Sequence, residues 1–133
     1  MATPRTILVP VDFSSGSKQA LKYATDLARF LPRAEIVIMH AIEPMVFPVK
    51  PARGKARPDH RAWEDKVESD LMDLLKKMKS SVKLSVRSII RKGRSYQEIA
   101  RAAKDADADL IVMGSAGYTA QNYSQLGTTA ERV

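Results

Sequence analysis

Three short runs of this chain are apolar at nearly every position, and that pattern restricts the fold more than any other feature of the sequence. They are "TILVPV" (residues 6–11), "EIVIMHAI" (35–42) and "DLIVMG" (109–114). Successive side chains of a strand point to opposite faces, so a run without alternation belongs to a strand covered on both faces, as the central strands of a parallel sheet are. A fourth run, "VKLSVRSII" (82–90), alternates, with Val82, Leu84 and Val86 on one side, and is expected nearer a sheet edge.

Helical patterns fill the intervals. Ala20, Leu21, Ala24, Leu27, Ala28 and Leu31 recur at three- and four-residue spacing, which predicts a helix over 14–31 capped by Ser14 or Ser15. Val67, Leu71, Leu74, Leu75 and Met78 repeat the pattern in "AWEDKVESDLMDLLKKMK", where acids lead and lysines close, as the helix dipole favours. "SYQEIARAAKDA" (95–106) starts with Ser95 and has Glu98 three residues on, the spacing of a capping box. Trp63 and Tyr96 open two of these helices and are expected to pack.

The order is β-α-β-α-β-α-β, then a glycine-rich turn and a fourth helix near "GTTAERV". This alternation predicts an α/β fold, a doubly wound parallel sheet with right-handed crossovers and helices on both faces. In such sheets ligands settle beyond the carboxyl ends of the strands, where strand order reverses. The first and fourth strands, ending at Asp12 and Gly114, mark the expected crevice. At 133 residues one domain is expected.

Composition narrows the function. No apolar run reaches the roughly 18 residues of a membrane span, and "MATPRTILVPVD" meets an Asp too early for a secretory leader. With 0 cysteines there is no disulfide framework, thiolate metal site or cysteine nucleophile, and a cytoplasmic location is expected. The net charge of +7 favours anionic partners. Much of it is local to "KPARGKARPDHR" (50–61), which reads as an exposed basic loop; it holds no aromatic residue to stack on bases, so nucleic acid is a disfavoured partner.

Half of the 6 glycines, Gly114, Gly117 and Gly127, follow the last apolar run. A phosphate held by backbone N–H groups needs the main chain close and free of Cβ atoms. Gly127, Thr128 and Thr129 stand where the last helix should begin, and a helix N-terminus supplies unpaired donors and positive potential. The pattern is neither a dinucleotide G-x-G-x-x-G nor a Walker sequence. Read only as punctuation, the same glycines make a tight turn and a hinge.

The stretch "GSAGYTAQNYSQLGT" resembles the G-x2-G-x9-G-[ST] signature of the universal stress protein family, and the resemblance extends over nearly the whole chain. "ILVPVDFS" is similar to its first strand and turn, "IVIMHAIEP" to its second strand, "RKGRSYQEIARAA" to the Gly and helix after its third strand, and "ADLIVMGSAG" to its fourth strand. The resemblance implies a five-stranded parallel sheet of order 3-2-1-4-5 in a single domain over 1–133. The fifth strand, which often forms the family's homodimer contact, is expected to be missing from this chain. It also implies ATP, or another adenine nucleotide, with Mg2+ on the phosphates. Carried over, Pro10, Val11 and Asp12 line the nucleotide, Asp12 nearing the ribose or the metal. Ala41 meets adenine through its backbone, and Gly114, Gly117, Gly127, Thr128 and Thr129 hold ribose and phosphates. Ala116, where the family commonly has His, departs from the pattern.

No catalytic constellation stands out. Asp12 has no second acid at the strand ends except Glu43, which is poor for metal binding, and Asp12 also reads as a turn or helix cap. His40 reads as a core or dimer-side histidine and His60 as solvated; no Ser-His-Asp set or metal-spaced pair is evident. The expected function is nucleotide binding as a signal, with at most weak ATP hydrolysis and no efficient enzyme. The alternative is an interaction module whose glycines only shape a turn.

Overall fold

The computed structural model describes residues 5–43, 60–81, 84–114 and 133. Their elements run β1 (Thr6–Pro10), α1 (Ser15–Ala28), β2 (Glu35–Ile42), α2 (His60–Ser81), β3 (Ser85–Lys92), α3 (Ser95–Asp105) and β4 (Leu110–Ile111). The four strands are parallel in the order β3-β2-β1-β4. This is the α/β architecture expected from the sequence, and the order agrees with the first four strands of 3-2-1-4-5. The fourth helix expected near "GTTAERV" lies outside the described residues, as do residues 50–59 of the basic segment; His60 and Arg61 already belong to α2.

Both sheet faces are covered, which is why β1 and β2 lack alternation. Ile7, Val9 and Val11 of the first strand segment, with Ile36, Ile38 and Val86, pack beneath α1 and α2. Leu8, Val37 and Met39 point the other way, against Ile99 and Ala102 of α3. Each fully buried aliphatic side chain contributes about 1.5–3 kcal/mol relative to exposure. On α1 the inward residues Ala20, Ala24 and Ala28 are small and buried, so the helix axis can lie close to the sheet.

β3 pairs with β2 over its whole length, from Glu35↔Ser85 to Ile42↔Lys92. It therefore starts three residues later and ends two residues later than the alternation of 82–90 suggests, because cross-strand pairing sets the span. α2 has 22 residues, about 33 Å of helix, whereas an eight-residue strand reaches only about 26 Å. Its first turns stand over the end of β3, where Lys92 Nζ meets Glu64 Oε2 at 2.9 Å. Trp63, expected to pack, is 43% exposed in that overhang.

The amino-terminal end of the sheet is tied by Asp109. Its Oδ2 accepts from the backbone N–H of Arg5 at 2.8 Å and of Thr6 at 3.0 Å, and Asp109 N–H donates to Thr6 O at 2.9 Å. The Arg5 and Thr6 N–H groups, and then the Arg5 charge, hold the Asp109 carboxyl below its ordinary value. A carboxyl depressed in the folded state stabilises above its unfolded pKa of about 3.9 and loses that contribution as pH falls through the folded value. Urea unfolding of wild type and Asp109→Asn should therefore differ at pH 7, and the difference should shrink as pH is taken below about 4. An unchanged difference would mean that the carboxylate charge plays no part.

Candidate functional site

At the carboxyl ends of the strands, β1 and β4 part company, and Pro10 is the reason. Val112 N–H donates to Leu8 O at 2.9 Å, and the next rung between these parallel strands would require an N–H at position 10. Proline has none, so the ladder to β4 stops there. On its other side β1 continues, with Val11 N–H donating to Met39 O at 2.8 Å. Pairing thus ends on one side of β1 only, at the point where strand order reverses and where sheets of this kind bind ligands.

The chain then turns sharply into α1. Phe13 has φ 64°, in the left-handed region that a bulky residue occupies at a cost of about 1–3 kcal/mol. Asp12 Oδ1 accepts from Ser14 N–H at 2.9 Å and from Ser14 Oγ–H. Ser14 is the N-cap: its Oγ accepts from Ser17 N–H at 3.3 Å, while Ser17 Oγ–H donates to Ser14 O at 3.0 Å. Asp12 thus serves as the turn residue that the sequence allowed, with Oδ1 engaged; Oδ2 has no hydrogen bond among the described residues.

Two residues at the end of β2 reach across to this region. His40 Nδ1 lies 2.7 Å from Val11 O, and its ring faces Phe13 with centroids 5.3 Å apart. A carbonyl can only accept, so Nδ1 carries the proton. Glu43 Oε1 accepts from Ser95 N–H at 3.0 Å and Ser95 Oγ–H at 2.7 Å, and these bonds, with the nearby Arg94 charge, lower its pKa. The capping box expected at Ser95 and Glu98 is therefore not what starts α3. Arg94 is the N-cap without a side-chain bond, the acceptor comes from β2, and the buried Glu98 bonds Arg101 Nη1 at 2.8 Å. A carboxylate already positioned by the sheet displaces the local cap.

Of the expected site residues, the fold brings Pro10, Val11, Asp12, Ala41 and Gly114 to this one end of the sheet. Val11 is buried in the core and presents backbone, while Ala41 and Asp12 are half-buried. Gly117, Gly127, Thr128 and Thr129 lie outside the described residues. Gly114 has a reason that phosphate chemistry did not supply. A Cβ there would come within 2.9 Å of Gly16 C and 3.0 Å of Gly16 O, backbone atoms of the first turn of α1. Ser14 is the cap expected from the sequence, whereas the parts that Phe13, Gly16 and His40 play here were not expected from it; Gly16, beside the serines of the cap, carried the one usable signal.

A model described as the universal stress protein family matches residues 3–133. The universal stress protein MJ0531 of Methanocaldococcus jannaschii is 30% identical over 97% of this chain and 75% of its own length. The solved structure of the universal stress protein UspA from Lactobacillus plantarum superposes with a TM-score of 0.77 at 20% identity, covering 100% of this chain and 92% of that one. A universal stress protein solved in complex with cAMP superposes with a TM-score of 0.65 at 19% identity, over 90% of this chain and 82% of that one.

Gly114→Ala forces the β4 end away from α1, an overpacking of backbone against backbone that should cost about 1–3 kcal/mol. Urea denaturation of the unliganded protein reads this directly, and an unshifted midpoint would show that the close approach tolerates a methyl group.

Proposed function

The chain belongs to the universal stress protein family, and from that premise we propose that it binds an adenine nucleotide, ATP foremost, in the crevice between β1 and β4. Occupancy acts as the signal in a cytoplasmic stress response, with slow or no hydrolysis. The observation that carries this reading is the interrupted ladder at Pro10: the sheet opens beside the very strand whose end leads into the G-x2-G-x9-G-T sequence. A relative of the same fold has been solved with cAMP, which supports an adenine ring as the recognised moiety.

The donor set fits such a ligand. Asp12 Oδ1 is committed to the turn, leaving Oδ2 to accept from ribose hydroxyls or to approach a nucleotide-bound Mg2+. Ala41, next to His40 at the end of β2, offers backbone groups to the adenine edge. Gly117, Gly127, Thr128 and Thr129 would hold ribose and phosphates through backbone N–H and hydroxyl donors. Gly114, the first glycine of the signature, is fixed by its fit against Gly16. Among the described residues no group of three or more His, Asp or Glu forms a metal site, so a metal would arrive with the phosphates. No helix among them is long and apolar enough to cross a membrane.

A ligand that binds only the folded state raises stability by mass action, about 2.7 kcal/mol at one hundred times Kd. Millimolar Mg-ATP should raise the Tm by several degrees, and Gly117→Val or Gly127→Val should weaken binding by about 1–3 kcal/mol per charge-assisted bond lost. Equal melting curves with and without nucleotide, together with a concentration-dependent mass, would support the interaction-module reading instead.

A further inference from the structure

We infer that His40 is a positioning residue for the crevice, holding the β1–α1 turn in the form that presents Asp12 to the nucleotide; this rests on the nucleotide reading above. Val11 is the last residue of the first strand segment to bond the sheet, through its N–H to Met39 O. Its carbonyl, which continued parallel pairing would give to a β2 N–H, is instead taken by the side chain of His40, with Nδ1 at 2.7 Å. The same ring packs on Phe13, centroids 5.3 Å apart and planes inclined at 36°. Phe13 holds φ 64°, a conformation that a bulky residue keeps only when its surroundings enforce it.

One imidazole therefore grips the residue before Asp12 and the residue after it. The Ser14 bonds fix Asp12 Oδ1 relative to α1, but they do not fix the turn relative to β2, where Ala41 stands. His40 makes that link: it neighbours Ala41 in sequence and Asp12 through Val11 and Phe13. Its hydrogen bond goes to the main-chain carbonyl of Val11, its ring meets Phe13 at the border of the larger apolar cluster, and it is half-buried rather than enclosed. A histidine kept for packing alone would have no reason to place its donor on the final carbonyl of the strand.

The test compares wild type, His40→Leu and His40→Asn. Leucine keeps apolar volume without a donor, and the Asn amide keeps a donor near the place of Nδ1. ATP affinity is read by calorimetry, and the turn by hydrogen exchange at the Ser14 amide, which donates to Asp12 Oδ1. His40→Leu should weaken ATP binding about tenfold and reduce Ser14 protection, with His40→Asn recovering most of both. Leu71→Ala, a core variant, should lower the Tm yet leave Kd unchanged well below that temperature. Wild-type affinity in His40→Leu, or no recovery in His40→Asn, overturns the inference. If wild type binds no nucleotide at millimolar concentration, the nucleotide reading fails. Ser14 exchange then decides the positioning role alone: loss in His40→Leu with recovery in His40→Asn upholds it, and unchanged exchange overturns it.

Discussion

Burial of the sheet on both faces is the constraint from which the rest of this structure follows. Odd-numbered residues of β1 feed the layer under α1 and α2, and Leu8 feeds the layer under α3. A strand in that position cannot alternate apolar with polar, and its neighbours must be parallel, because each crossover needs a helix to cover a face. The helices in turn fit the cover they must supply. The alanine stripe of α1 lies close to the sheet, while Leu71, Leu75 and Met78 let α2 fill the span beneath its longer side chains.

That arrangement gathers every strand's carboxyl end on one side, and there the backbone runs out of partners in a specific way. Pro10 ends pairing with β4 while Val11 prolongs pairing with β2, so the asymmetry is built into one residue that lacks a donor. Side chains then take over backbone positions: His40 occupies the Val11 carbonyl, Glu43 caps α3, and Asp12 with Ser14 caps the entry to α1. No buried side-chain polar atom among the described residues lacks a hydrogen-bond partner. The buried part of the polar network at this end is satisfied internally, while the half-buried Asp12 keeps Oδ2 as an acceptor.

Glycine illustrates how one residue type answers to different causes. Gly114 is required by the backbone of Gly16, a contact between elements nearly one hundred positions apart in sequence. Gly93, at φ +148°, sits over the Glu98 side chain in the β3–α3 turn. Neither reason excludes a ligand-facing role for the glycines further along, yet it shows that the first glycine of the signature is held by packing before any phosphate is considered.

Element type and order, the parallel sheet, the Ser14 cap and the family signature were all present in the sequence, because apolar periodicity, cap chemistry and glycine spacing are local properties. The extent of β3, the exposure of Trp63, the cap on Ser95 and the grip of His40 on the β1–α1 turn were not. Each depends on a partner supplied by another element: the length of β2, the reach of the sheet beneath α2, the Glu43 carboxylate, the Val11 carbonyl. The sequence by itself determined which segments must be buried on two faces and hence the layered fold. Only the tertiary structure decided which backbone and side-chain groups meet at the strand ends, since those meetings are set by three-dimensional register and not by spacing along the chain.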